Sequence, residues 1–199
     1  MPRPQTREPE PSREAKEVFE RWLGYLDREL GKHKKPALRE ELVHDNLHQL
    51  LLGTPKGGRL NFTLESELAF NVLQLGLDAK NATLGADYLS ELDEEKYAPI
   101  KPLLFFWQMF DRSPVGVNQW LGFRFRAMLG RHIFRSIGEN VRIFHGVEFT
   151  YGYNLAIEDD CVIHRYAFLD DSSELTITHG TTIEEYAAVH PQQPPANRA

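Results

Sequence analysis

Across residues 137–189 an aliphatic or aromatic residue returns every six positions, a spacing produced neither by a helix (period about 3.6) nor by a half-buried strand (period about 2). Ile137, Ile143, Phe149 and Leu155 form one run; Ile157, Ile163 and Leu169 form the next; Ile177, Ile183 and Val189 complete the comb. Two residues are added at each change of run, so Ile157 stands 20 positions after Ile137, and Ile177 another 20 after that. Four positions after most of these anchors comes a small or branched residue: Val141, Val147, Cys161, Ala167, Ser173, Thr181 and Ala187.

A fixed six-residue period is one supersecondary unit repeated, and it predicts a left-handed parallel β-helix in which three hexads make a triangular coil of about 18 residues. Each hexad supplies one short strand and one corner, so the anchor and the residue four later both face the inside of a narrow prism. Gly138, Asn140, Gly146, Gly152, Asp159, Asp160, Asp170, Asp171 and Gly180 fall between them, at positions suited to turns. The two-residue offsets read as longer corners at Ala156 and near residues 174–176. The competing reading, an ordinary antiparallel β domain, requires alternation of period two instead.

Upstream the apolar period becomes helical. Val18, Phe19, Trp22, Leu23, Leu26 and Leu30 predict a helix from residue 13 to about 34, with Gly31 placed to end it. Pro36 suits the first turn of a second helix, which carries Leu38, Leu42, Val43, Leu47, Leu50 and Leu51 up to Gly53. After a Gly- and Pro-containing loop, Thr63 can cap a third helix running to about Lys80, and a shorter helical stretch is expected over residues 86–95. His44 and His48 share a helical spacing. Lacking a Glu or third ligand at matching distance, they read as a solvated rim pair rather than a metal site.

Residues 102–134 change the picture. Leu103, Leu104, Phe105, Phe106, Trp107, Met109 and Phe110 make an apolar run too short to span a bilayer, so it must be buried. Ser113 and Pro114 suit the start of a following helix, whose stripe of Val117, Trp120, Leu121, Phe125, Met128 and Leu129 opposes Arg124, Arg126, Arg131 and Arg135. The preferred reading is a helix plugging the open end of the β-helix, which otherwise exposes apolar strands and backbone edges. The alternative is a basic, aromatic face over residues 102–135 in contact with a membrane surface.

The whole is an α+β chain: a polar, proline-containing tail (1–12) expected to be disordered, a helical module with its capping helix (13–130), the β-helix (131–190) and a second disordered tail (191–199). Its 199 residues allow a sizeable core, and a net charge of −6 offers no basic footprint for nucleic acid. The single cysteine excludes an intramolecular disulfide framework, and Cys161 falls in an inward slot as a core thiol. No signal peptide or spanning segment is read at the start of the sequence, so a cytoplasmic location is expected.

The stretch LGRHIFRSIGENVRIFHGVEFTYGYNLAIEDDCVIHRYAFLDDSSEL over residues 129–175 resembles the hexapeptide-repeat acyltransferases, left-handed β-helix enzymes that acylate sugars, antibiotics and other small acceptors. Ile137 to Val141 (IGENV) and Ile157 to Val162 (IEDDCV) carry the repeat. The resemblance covers about the last third of the chain and is more specific for fold than for reaction. It implies transfer of an acetyl or longer acyl group from coenzyme A, a co-substrate rather than a bound cofactor, to a small hydroxyl or amine acceptor. It also implies a homotrimer with active sites between neighbouring β-helices, where one histidine deprotonates the acceptor.

His145, His164, His179 and His190 all lie in the comb, at outward positions. They fall in different columns of the 20-residue stack, which disfavours a metal site within one chain and with it a γ-class carbonic anhydrase. His190 is the candidate base, because His190-Pro191 resembles the His-Pro pair carrying the base in sugar O-acetyltransferases of the family; His179 is the second candidate. The comb stops at Val189, after a little under three coils, whereas relatives continue further. The first functional reading is the transferase, either as an active short member or as a truncated and inactive one; the second is a non-enzymatic scaffold that oligomerises through the β-helix.

Overall fold

A computed structural model describes residues 10–53, 65 and 68–191. Helix α1 (Arg13–Lys32) starts where Ser12 Oγ accepts from Ala15 N–H, and buries Leu23, Leu26 and Leu30. Gly31 does not end it; the chain leaves at His33. Helix α2 (Pro36–Leu52) has Pro36 in its first turn and ends at Gly53, which adopts the left-handed φ of 70° that glycine tolerates best. Helix α3 (Leu68–Gly76) follows, while the expected Thr63 cap lies outside the described residues.

The helix expected over 86–95 is instead two separate turns, a 3-10 turn at Gly85–Tyr88 and the single-turn α4 (Glu94–Tyr97). Acidic side chains divide it. Asp87 Oδ2 accepts from Leu84 N–H at 2.8 Å, and Asp93 caps α4 by accepting from Lys96 N–H, so each short turn is closed locally.

Helices α5 (Lys101–Asp111) and α6 (Gln119–Ile133) carry the aromatic core. Phe125 stacks on Phe110 with centroids 3.9 Å apart and on Trp22 at 5.6 Å, joining α1, α5 and α6. The cap of α6 is Asn118, accepting from Leu121 N–H, and not Ser113, whose hydroxyl donates to Phe110 O at the end of α5. The apolar surface of α5 is spent inside the protein. No helix among the described residues is long and apolar enough to cross a membrane.

Nine short strands follow: β1 (Ser136–Ile137), β2 (Arg142–Ile143), β3 (Glu148–Phe149), β4 (Leu155–Ile157), β5 (Val162–Ile163), β6 (Phe168–Leu169), β7 (Leu175–Ile177), β8 (Thr182–Ile183) and β9 (Ala188–Val189). They form three parallel sheets of three strands, β1-β4-β7, β2-β5-β8 and β3-β6-β9. The chain visits each sheet in turn and returns to it one rung higher, the pattern of a short parallel β-helix. Ile137 pairs with Ile157 and Ile157 with Ile177; the same 20-residue register joins Ile143, Ile163 and Ile183, then Phe149, Leu169 and Val189.

The extra residues of each coil are not at Ala156, nor at Leu175 and Thr176. Those belong to β4 and β7, the longest strands, where Leu155 and Leu175 pack inward beside Ile157 and Ile177; of the expected second corner only Glu174 lies outside a strand. The added length forms the corners at 151–154 and 171–174 instead, held by Asp171, whose fully buried carboxylate accepts from the N–H groups of Tyr151, Gly152 and Asn154. Ser173 is therefore exposed in this corner rather than inward.

Helix α6 lies against the first coil. Phe123 meets Phe144 edge-on, and Phe134 and Trp107 close on Phe149. Arg126 departs from the expected solvent-facing arginines: it is 1% exposed and donates to Ile143 O, to Gly116 O and to the carboxylate of Asp111, whose other oxygen accepts from Gly146 N–H. The helices therefore plug the coil both with aromatic rings and with a charged pair that satisfies its open backbone edge.

Candidate functional site

Thr150, Asp170 and His190 each follow directly on a third-sheet strand, so the pairing of Phe149, Leu169 and Val189 stacks them in one column. Asp170 Oδ1 accepts from Thr150 Oγ1 at 3.0 Å and from Ser172 N–H at 3.1 Å. Its Oδ2 lies 3.0 Å from His190 Nδ1. The hydrogen bond from His190, reinforced by those from Ser172 and Thr150, outweighs partial burial and holds the Asp170 carboxyl down at about 2.

That ionisation decides the tautomer. A carboxylate at neutral pH only accepts, so the proton of this hydrogen bond sits on Nδ1, and the neutral ring keeps its lone pair on Nε2. The side chain of His190 is 63% exposed against 23% for Asp170. The arrangement presents an oriented, solvent-facing imidazole nitrogen backed by a fixed carboxylate, suited to accepting a proton from a bound hydroxyl or amine.

His179 lies on a different corner. Its Nδ1 is 4.0 Å from Asp160 Oδ2, beyond hydrogen-bond reach, and its better-defined contact is through the backbone, whose N–H donates to Glu158 Oε2 at 2.7 Å. His164 is stacked on Phe144 with centroids 5.0 Å apart. His145 meets the Tyr166 ring edge-on, and burial, aided by Arg126 and Arg165, pushes its pKa down. The four histidines do not converge, and among the described residues no group of three or more His, Cys, Asp or Glu side chains is placed to hold a metal ion.

Cys161 is a buried thiol whose Sγ lies 3.1 Å from Thr178 O, and burial pushes its pKa up, which suits packing rather than nucleophilic attack. His44 and His48 are not the solvated rim pair the spacing suggests. Both are buried, their rings 6.2 Å apart, because α5 and the turn at Ala79–Asn81 pack against α2, and Gln74 of α3 brings its Nε2 within 3.3 Å of His48 Nε2.

The sequence marks Asp170 only as a corner residue. Its distance of 20 positions from His190, the repeat length of the coil, is the signal that links them. Comparisons with protein-family models, with curated proteins and with solved structures return no match for the chain.

Proposed function

We propose that this chain is an acyltransferase of the hexapeptide-repeat, left-handed β-helix type, transferring an acyl group from coenzyme A to a small hydroxyl or amine acceptor with His190 as general base. The observation that carries the reading is the 3.0 Å contact between His190 Nδ1 and Asp170 Oδ2. Nε2 takes the proton of the acceptor as its oxygen or nitrogen attacks the thioester carbonyl. The carbon–sulfur bond then breaks, and coenzyme A leaves as a thiolate that recovers the proton from the imidazolium. Asp170 is a positioning residue: it holds the ring and fixes its tautomer. The reading includes a cytoplasmic homotrimer in which a neighbouring copy completes the site.

The test is a thermal-shift titration of the full chain with acetyl-coenzyme A, followed by a transfer assay over sugar, amine and hydroxyl acceptors. A ligand that binds only the folded state raises the melting temperature. A shift with acetyl-coenzyme A, and transfer lost in His190→Ala, are expected; an unchanged melting temperature at millimolar acetyl-coenzyme A overturns the reading.

That second outcome would favour the scaffold. β7, β8 and β9 are the outer strands of their sheets, and α3 exposes Phe70 and Val72, features suited to contact with another chain.

A further inference from the structure

Helix α3 is turned inside out. Its only polar side chains, Asn71 and Gln74, are buried, with Gln74 Nε2 within 3.3 Å of His48 Nε2 on α2. Leu68, Phe70, Val72, Leu73 and Leu75 are instead 40–70% exposed, and Ala69 and Gly76 are exposed among them. A helix on a globular protein ordinarily turns its apolar stripe to the core. Burying two amides in preference to five large apolar side chains forgoes about 25 cal/mol for each Å² of apolar surface left in water. That orientation is favourable when the outward face is covered by something else. The five exposures amount to roughly 450 Å² of apolar area, the size of the largest and often functional patch on a monomer.

Area, shape and charge point to the same face of a second copy. Two such faces pressed together remove about 900 Å² from these residues alone, close to the roughly 1,000 Å² at which a specific interface begins, before the flanking surface is counted. Val72, the most exposed of the five, lies between Ala69 and Gly76 along the middle of the face, and a Cβ at Gly76 would meet nothing within 4 Å. Small residues at the middle let two helix axes come close, with larger side chains closing on either side. No charge interrupts the sequence from Leu68 to Gly76, while Glu65 is exposed before it and Lys80 after it. Antiparallel pairing sets Glu65 of one copy toward Lys80 of the other and opposes the helix dipoles; parallel pairing sets like charges together. A lipid surface fits less well, since residues 65–78 hold no Lys or Arg to accompany the apolar face.

We infer that α3 pairs antiparallel with α3 of a second copy of this chain, across a two-fold axis near Val72. The contact is isologous and lies on the helical module, among elements other than the coil and the Asp170–His190 pair. It is independent of acyl transfer, because association alone tests it. Combined with a three-fold assembly of β-helices, it closes six copies.

The test is sedimentation velocity of the full chain over a range of concentrations, for the wild type, Val72→Glu, Ala69→Arg and a control, Val18→Glu, at a 62% exposed position on α1. Val72 and Ala69 are exposed in the single chain, so both variants should keep the wild-type circular dichroism spectrum and melting temperature at high dilution; having two keeps the test open should one fail to fold. Each should weaken association at least about tenfold, because it places charges against their own copies in an apolar contact. The control should associate as the wild type does. Where the β-helices also assemble, the two variants should halve the mass of the largest species. Two results overturn the inference: folded Val72→Glu and Ala69→Arg that sediment as the wild type does at every concentration; or association unchanged in both while phosphatidylcholine vesicles carry down the wild type and not Val72→Glu, which would assign the face to lipid.

Discussion

Arg126 Nη2 lies 2.6 Å from Asp111 Oδ1 in an ion pair whose side chains are only 2% and 8% exposed. Besides neutralising each other, the two groups reach the first coil, Arg126 at Ile143 O and Asp111 at Gly146 N–H. A buried pair of this kind adds little over well-packed apolar residues, yet breaking it strands a charge. Here it also closes a strand edge that the fold otherwise leaves open.

Arg126→Leu should therefore destabilise the protein by about 3–5 kcal/mol, since it leaves Asp111 buried and uncompensated and removes a donor from Ile143 O. Adding Asp111→Leu should recover part of that loss. Urea denaturation of the two variants measures both effects, and a single-variant loss below about 1 kcal/mol would show that the pair is not the closure described.

Ile163 has no exposed surface and stands between Ile143 and Ile183 in one column of the coil. Ile163→Asp places a carboxylate there with nothing to pair it, and should cost more than about 3 kcal/mol. Circular dichroism during thermal melting reads the change. A variant as stable as the wild type is incompatible with the register.

Asp170 makes stability depend on acid. Its carboxyl ionises at about 2 in the folded protein against an ordinary 3.8, so the folded state favours the charged form. The resulting stabilisation is fully present above about pH 4 and is lost as pH falls through the folded value near 2. After solvent screening of this partly exposed group it should amount to about 1 kcal/mol. Asp170→Asn should flatten this part of the pH–stability curve between pH 4 and pH 2, measured by denaturant midpoints at each pH.

If acyl transfer occurs, His190→Ala should lower it by roughly 100-fold or more and leave coenzyme A binding nearly intact, the usual contribution of a general base being about 10²–10⁴. Asp170→Asn should lower the rate less, because Nε2 remains but the ring loses the carboxylate that fixes its orientation and tautomer. The same Ala replacement at His164 should be mild. Steady-state rates across pH distinguish these cases, and full activity in His190→Ala would move attention to His179.

The outer edge of the last coil, formed by β7, β8 and β9, carries backbone groups that the sheets leave unpaired on that side. Such an edge tends to pair with another chain. Sedimentation velocity over a range of concentrations should show self-association; a monomer throughout would mean that the edge is protected by other means.

The six-residue comb determined the strands, their 20-residue register and the inward columns, because a side chain that must face the inside of a narrow prism can recur only at the period of the coil. The same logic placed Cys161 inside and made a plug of the helices before residue 134. The corner length was not legible, since Leu155 and Ile157 are both apolar and only the packing shows that both lie on a strand; Asp171, read as a turn residue, turned out to be the buried brace of that corner. Tyr166 and Tyr186 occupy left-handed corners at φ near 60°, where the sequence suggests Gly, Asn or Asp, because their rings stack above Gly146, and that contact exists only between coils. Helix α2 hid its burial, as His44 and His48 read as a solvated rim pair until other elements enclose them. Arg126 and Asp111, and likewise Asp170 and His190, are distant in sequence and acquire their roles from partners. Local composition records which side chains a backbone favours, while the charge a residue faces, and whether water reaches it, are set by what the rest of the chain brings beside it.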